Sequence, residues 1–128
     1  MNNSQPNLDR LAAERAQEII RRTGGKTASE VDTTVTKSLG VLQENGVYAC
    51  FLYLLAKEKE NGVVVVEEML NLLDGLGFGW GKPMTTGAEA VLKHITDKVT
   101  HDLERLLLSK ETLEQMLIYA RYGAKARG

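Results

Sequence analysis

Cysteine is nearly absent: Cys50 is the only one in 128 residues. It can form no internal disulfide and no thiolate metal cluster. Its place in the apolar run 47–55 reads as a small buried hydrophobe. Net charge is also missing, since 16 basic side chains face 17 acidic ones and leave −1. That balance excludes a free-standing, strongly cationic nucleic-acid binder and leaves room for a basic patch on one face. No apolar run approaches the roughly 20 residues needed to cross a bilayer. Residues 1–7 are polar and lack the apolar core of a signal peptide. A cytoplasmic protein with no membrane contact is the expectation.

What is present suits one globule. With 43% hydrophobic and 26% charged residues, the chain can bury about two-thirds of its unfolded surface in one domain spanning 1–128. The apolar residues recur at helical spacing. Leu8, Leu11, Ala12, Ala16 and Ile19 share a face of a first helix over 8–22, which Gly24-Gly25 ends. Ser29 is a candidate N-cap for a second helix, with Asp32 suited to its positive end and a stripe of Val31, Val35, Leu39 and Leu42. Asn45-Gly46 stops it. The segment 47–59 is apolar nearly all round, as befits a central helix, and Asn61-Gly62 is a second break. The β-branched run 63–66 favours extended structure, yet a lone strand has nothing to pair with, so 63–73 reads as helix. A glycine-rich loop at 75–85 carries Leu76, Phe78 and Trp80. A further helix begins near Thr86, with Glu89 completing a capping box, and its stripe runs through Val91, Leu92, Ile95 and Val99 toward Leu108. Ser109 is a candidate cap for the last helix, with Leu113, Met116, Leu117 and Ala120 inward. Residues 1–7 and 122–128 are expected to fray. The prediction is an all-α, compact single-domain bundle of five to six helices.

The search for chemistry finds none. Gly81-Lys82 resembles the end of a phosphate-binding loop, but Leu76 occupies the required glycine position and Pro83 the Ser/Thr position. The dinucleotide fingerprint fails at Trp80. His94 and His101 lie seven apart, near one helix face, without further ligands at a zinc-binding spacing; two surface histidines are expected. The acidic residues read as solvated partners of bases along helices, as Glu18 is of Arg22. No catalytic residue, metal or cofactor is therefore expected. Phe78 and Trp80 are the candidate partner contacts, because aromatics on long loops often carry binding.

The bases are more informative. Arg15 and Arg22 fall within or beside the apolar stripe of the first helix, where an arginine snorkels, pairs with an acid from a neighbouring helix or faces a partner. Arg21 and Lys26 lie near that helix's end, and Arg121, Lys125 and Arg127 crowd the C-terminus. If the chain ends meet, as they often do, a basic patch forms.

The stretch Ser38-Leu39-Gly40-Val41-Leu42-Gln43-Glu44-Asn45-Gly46-Val47-Tyr48-Ala49-Cys50-Phe51-Leu52-Tyr53-Leu54-Leu55-Ala56-Lys57 resembles the small α-helical subunit of the Cmr effector complex, the fifth protein of the type III-B CRISPR machinery. Glu14-Arg15-Ala16 and Tyr119-Ala120-Arg121-Tyr122-Gly123-Ala124 resemble the family's ends, although Gly40 stands where many members carry proline and Tyr122-Gly123-Ala124 where a Phe-Ala pair is usual. The resemblance implies a non-catalytic subunit that stacks with copies of itself and other Cmr subunits along a ribonucleoprotein containing guide RNA. There it helps to hold single-stranded target RNA. Such a chain grips phosphates without reading sequence, and Arg15, Arg21, Arg22, Lys26, Lys37, Arg121, Lys125 and Arg127 are the candidate RNA contacts. The small subunit of the type III-A complex is a close alternative. A helical adaptor that binds only protein through the glycine-rich loop is another, and a small enzyme with a pocket bearing His94 or His101 a third.

Overall fold

In the computed structural model, which describes residues 7–57 and 59–128, the apolar stripes become the seams of an all-α bundle. The helices are α1 (Leu8–Arg22), α2 (Ala28–Asn45), α3 (Val47–Lys57), α4 (Glu60–Gly75), α5 (Ala88–His94) and α6 (Leu103–Arg127). A five-residue π-helical segment, Ile95–Val99, continues α5. No strand occurs among the described residues. The long α6 packs along α1 and α2; α4 lies against the other side of α1, and α3 bridges α2, α4 and α5. Ala12, Ala16, Ile19, Val31, Val35, Leu39, Leu42, Leu113, Met116, Leu117 and Ala120 all enter the core. Two glycines set the approach of α1 to its neighbours. A Cβ on Gly123 would sit 3.0 Å from Ile20 Cγ1, and one on Gly75 3.1 Å from Leu11 Cδ1.

Several boundaries differ from the sequence reading, each for a local reason. Thr27, not Ser29, caps α2, because Thr27 and Glu30 form a reciprocal capping box. Asn61-Gly62 does not break the chain. These residues fall in the first turn of α4, where N–H groups lack intrahelical partners anyway, and the interruption lies between Lys57 and Glu60. The run 63–66 is helical, as expected. Gly87 precedes α5 and no side chain caps it, so Thr86 and Glu89 make no capping box. The expected continuation to Leu108 stops at Thr100, and α6 starts at Leu103 because Asp102 accepts from the Arg105 N–H at 3.0 Å. Ser109 is buried mid-helix and donates to the Arg105 carbonyl. α3 is not enclosed on all sides: Val47, Cys50, Phe51 and Leu54 are buried, while Tyr48 and Leu52 are exposed.

Residues 122–127, expected to fray, are helical in the structure. α6 continues to Arg127, Ala124 is fully buried, and Arg127 donates to the carbonyls of Ile20, Thr23 and Lys26. At the other end Asn7 is ordered as the N-cap of α1, accepting from Arg10 N–H; the remainder of the expected N-terminal fray, residues 1–6, lies outside the described residues. No described helix is long and apolar enough to cross a membrane.

Candidate nucleic-acid interface

α1 carries its arginines on two sides. Arg15 and Arg22, two turns apart, both reach across to Glu68 of α4, each at 2.8 Å. Glu68 is 3% exposed and also accepts from the Asn71 amide at 3.2 Å. Arg22 contacts Glu67 as well, and this hydrogen bond, ahead of the one to Glu68, raises its pKa. The arginines beside the apolar stripe are thus members of an ion-paired clamp between α1 and α4. The buried Glu68 corrects the expectation that every acid lies on a solvent face: its charge is tolerable there because two guanidinium groups meet it.

At the C-terminal end of α1 the end of α6 docks, while the start of α1 lies against the middle of α6, where Tyr119 donates to Asp9. Of the three carbonyls that accept from the Arg127 guanidinium, that of Ile20 lies in the last turn of α1, where carbonyls lack intrahelical partners and a cation is favoured by the helix dipole. This brings Arg127 against the segment bearing Arg21, Arg22 and Lys26. Two residues earlier Lys125 pairs with Asp32 of α2 at 3.1 Å. That bond, with one from Thr36, holds the Asp32 carboxyl below its ordinary pKa, and the Arg121 charge adds to the effect. Arg21 pairs with Glu18 at 2.7 Å and lowers its pKa; the expected Glu18–Arg22 pair does not form, because Arg22 is turned toward α4. Lys26 contacts Glu60 of α4, which raises the lysine's pKa and lowers the carboxyl's.

The ends of α1 and α6 therefore converge, whereas the described N-terminal residues lie one helix length away beside Tyr119, contrary to the expectation that the chain ends meet. The positive charge gathered at the converging ends is largely met within the fold. Lys37 is exposed with no ion pair to a described residue. It lies beyond Asp32 along α2, away from the helix end where the others gather. The Arg121 Nε is buried without a partner.

The loop between α4 and α5 holds its aromatics together. Gly77, Gly79 and Gly81 all have positive φ, a region open to glycine at little cost. The residues between them, Phe78 and Trp80, bring their rings to 4.9 Å at an interplanar angle of 56°. Both are half-buried against the core, and the Arg105 guanidinium sits 4.8 Å from the centre of the Phe78 ring.

The remaining reactive groups are dispersed. The Cys50 thiol is fully buried, lies 3.4 Å from the Ser38 carbonyl, and is pushed by burial up to about 12. His94 is buried rather than on the surface; its Nε2 has no partner, and burial lowers its pKa. His101 is exposed in the break before α6, so the two histidines do not share a helix face. No group of three or more potential metal ligands occurs among the described residues. Glu68 and Arg105 went unnoticed in the sequence. Helical spacing alone could have placed Glu68 beside the stripe containing Val65, Met69 and Leu72.

Comparison with protein-family models, with curated proteins and with solved structures finds no match for this chain.

Proposed function

We propose that this chain is a non-catalytic structural subunit of a Cmr-type, type III-B CRISPR ribonucleoprotein in the cytoplasm. It stacks along that complex with other Cmr subunits and further copies of itself, and helps to hold single-stranded target RNA beside the guide RNA. The observation that carries the reading is the docking of the end of α6 on the end of α1, which collects Arg21, Lys26, Lys125 and Arg127 at one end of the bundle. Their roles divide by how firmly each is committed. Arg21, Lys26 and Lys125 are held by surface pairs, which are worth about 0–1 kcal/mol, so a phosphate can replace the carboxylate at small cost. Lys37 and Arg121 add positive charge. Arg15 and Arg22 hold the buried Glu68 and Arg127 holds α1, so these three position the site and contact phosphates only with their free donors.

Purification of the tagged chain from its native cell tests the reading. Guide RNA and Cmr subunits are the expected companions; a protein partner without nucleic acid overturns it. Companions of the type III-A complex would favour its small subunit instead. A second reading, a helical adaptor that binds only protein, draws support from Met84, Leu103 and Leu107, which are 97%, 68% and 56% exposed near the loop and the start of α6.

A further inference from the structure

The uncommitted positive charge lies away from the end of the bundle where α1 and α6 finish. An open cleft of about 350 Å³ is lined by Trp80, Asp97, Lys98, His101, Asp102 and Arg105. Both of its acids are engaged: Asp97 pairs with Lys93 at 3.1 Å and Asp102 caps α6. Lys98, His101 and Arg105 have no ion pair with a described residue, whereas Arg21, Lys26 and Lys125 each have one. Arg105 is nevertheless held in place, by its cation–π contact with Phe78. Phe78 packs in turn on Trp80, which forms one wall of the cleft. A half-buried indole, two free cations and an imidazole donor around one opening match what a nucleotide presents, a flat π face joined to a phosphate. An acidic peptide would satisfy the cations and leave the indole unused.

We propose that this cleft takes one nucleobase of a single-stranded nucleic acid, stacked on Trp80, with adjoining phosphates on Lys98 and Arg105. The proposal rests on the RNA-holding reading for its ligand class and adds to it a second, base-stacking subsite. Gly77, Gly79 and Gly81 give the loop the turns that pre-form the aromatic pair, and the stacking is sequence-tolerant because every base has a π face.

Trp80 is the only tryptophan, so fluorescence excited at the red edge, where the tyrosines do not absorb, reads this cleft alone. The folded chain is titrated with a short oligouridylate, with an abasic oligomer of equal length and charge, and with an acidic peptide, while anisotropy of a labelled single-stranded RNA is followed in parallel. The expected result is saturable quenching by the oligouridylate and little by the abasic oligomer or the peptide. Lys98→Glu, at an exposed position without an ion pair, weakens that quenching about tenfold, with helicity by circular dichroism unchanged. RNA binding by anisotropy without Trp80 quenching overturns the base-stacking subsite and leaves the RNA-holding reading standing. Equal quenching by the abasic oligomer, or quenching by the peptide alone, also overturns the subsite. If neither signal responds to RNA, the base-stacking subsite falls.

Discussion

Removing the Glu68 carboxylate tests how α1 and α4 are joined. Glu68 is 3% exposed and accepts from Arg15 and Arg22 at 2.8 Å each and from Asn71 at 3.2 Å. Breaking a buried ion pair by removing one partner costs about 3–5 kcal/mol. The two arginine side chains are 27% and 28% exposed, so they recover part of their hydration, and Arg22 keeps Glu67. The expected loss for Glu68→Ala is therefore at the lower end, about 3 kcal/mol, or about 10 °C in Tm for a domain of this size. Glu68→Gln keeps the shape and the acceptor oxygen, and loses about half as much. The triple variant R15M/R22M/E68L replaces the charges with apolar groups of similar volume and returns to within about 1 kcal/mol of the parent. Urea denaturation followed by circular dichroism measures all three. A change below about 0.5 kcal/mol in Glu68→Ala would refute the argument, because it would mean that the arginines gain nothing from the carboxylate.

Other consequences are open to simpler assays. The buried His94 imidazole titrates below its ordinary 6.5, so the unfolded chain takes up a proton that the folded chain refuses. Stability is then full above pH 6.5 and falls as pH drops from there through the folded pKa. His94→Gln flattens the pH dependence of urea midpoints between about pH 7 and 5, whereas the lowered carboxyls Glu18, Asp32 and Glu60 act only in the more acid range, as they protonate. Arg127→Ala releases the carbonyls at the end of α1, lowers stability by about 1 kcal/mol and speeds amide exchange at Thr23 and Gly24; unchanged exchange there would contradict the capping role. Gly79→Ala, at φ 75°, costs about 1 kcal/mol and shifts Trp80 emission to longer wavelength. Cys50, with its thiol buried and raised to about 12, reacts with maleimide only at the rate of unfolding, and fast labelling of the native protein would contradict its burial.

Helix existence could be read from the sequence wherever a stripe continued for three turns. Leu113, Met116, Leu117 and Ala120 give α6 as clearly as Ala12, Ala16 and Ile19 give α1. Boundaries were less legible, because they turn on single side-chain bonds. Nothing in the local pattern tells that Asp102 rather than Ser109 starts the last helix, or that Asn61-Gly62 falls within a first turn and so breaks nothing. A gathering of the C-terminal bases with Arg21 and Lys26 was anticipated, but through a meeting of the chain ends; the end of α6 instead docks on the end of α1, and the charge there is neutralised. Periodicity puts Arg15 and Arg22 beside the stripe, but their acid stands 46 or more residues away in sequence. Likewise the Phe78–Arg105 contact joins a loop to a helix that sequence spacing had placed elsewhere. Both are tertiary juxtapositions, beyond the reach of local spacing.

The salt dependence of single-stranded RNA binding tests the proposed function most directly. The ribonucleoprotein is reconstituted with the parent chain or with R21E/K26E/K37E/K125E, and affinity for target RNA is measured by anisotropy from low to high salt. If each of these four cations neutralises one phosphate, the logarithmic salt slope falls by about 3 in the variant, and affinity at low salt drops by at least tenfold. Unchanged affinity and an unchanged slope, in a complex that still assembles, would contradict the assignment of these residues to RNA.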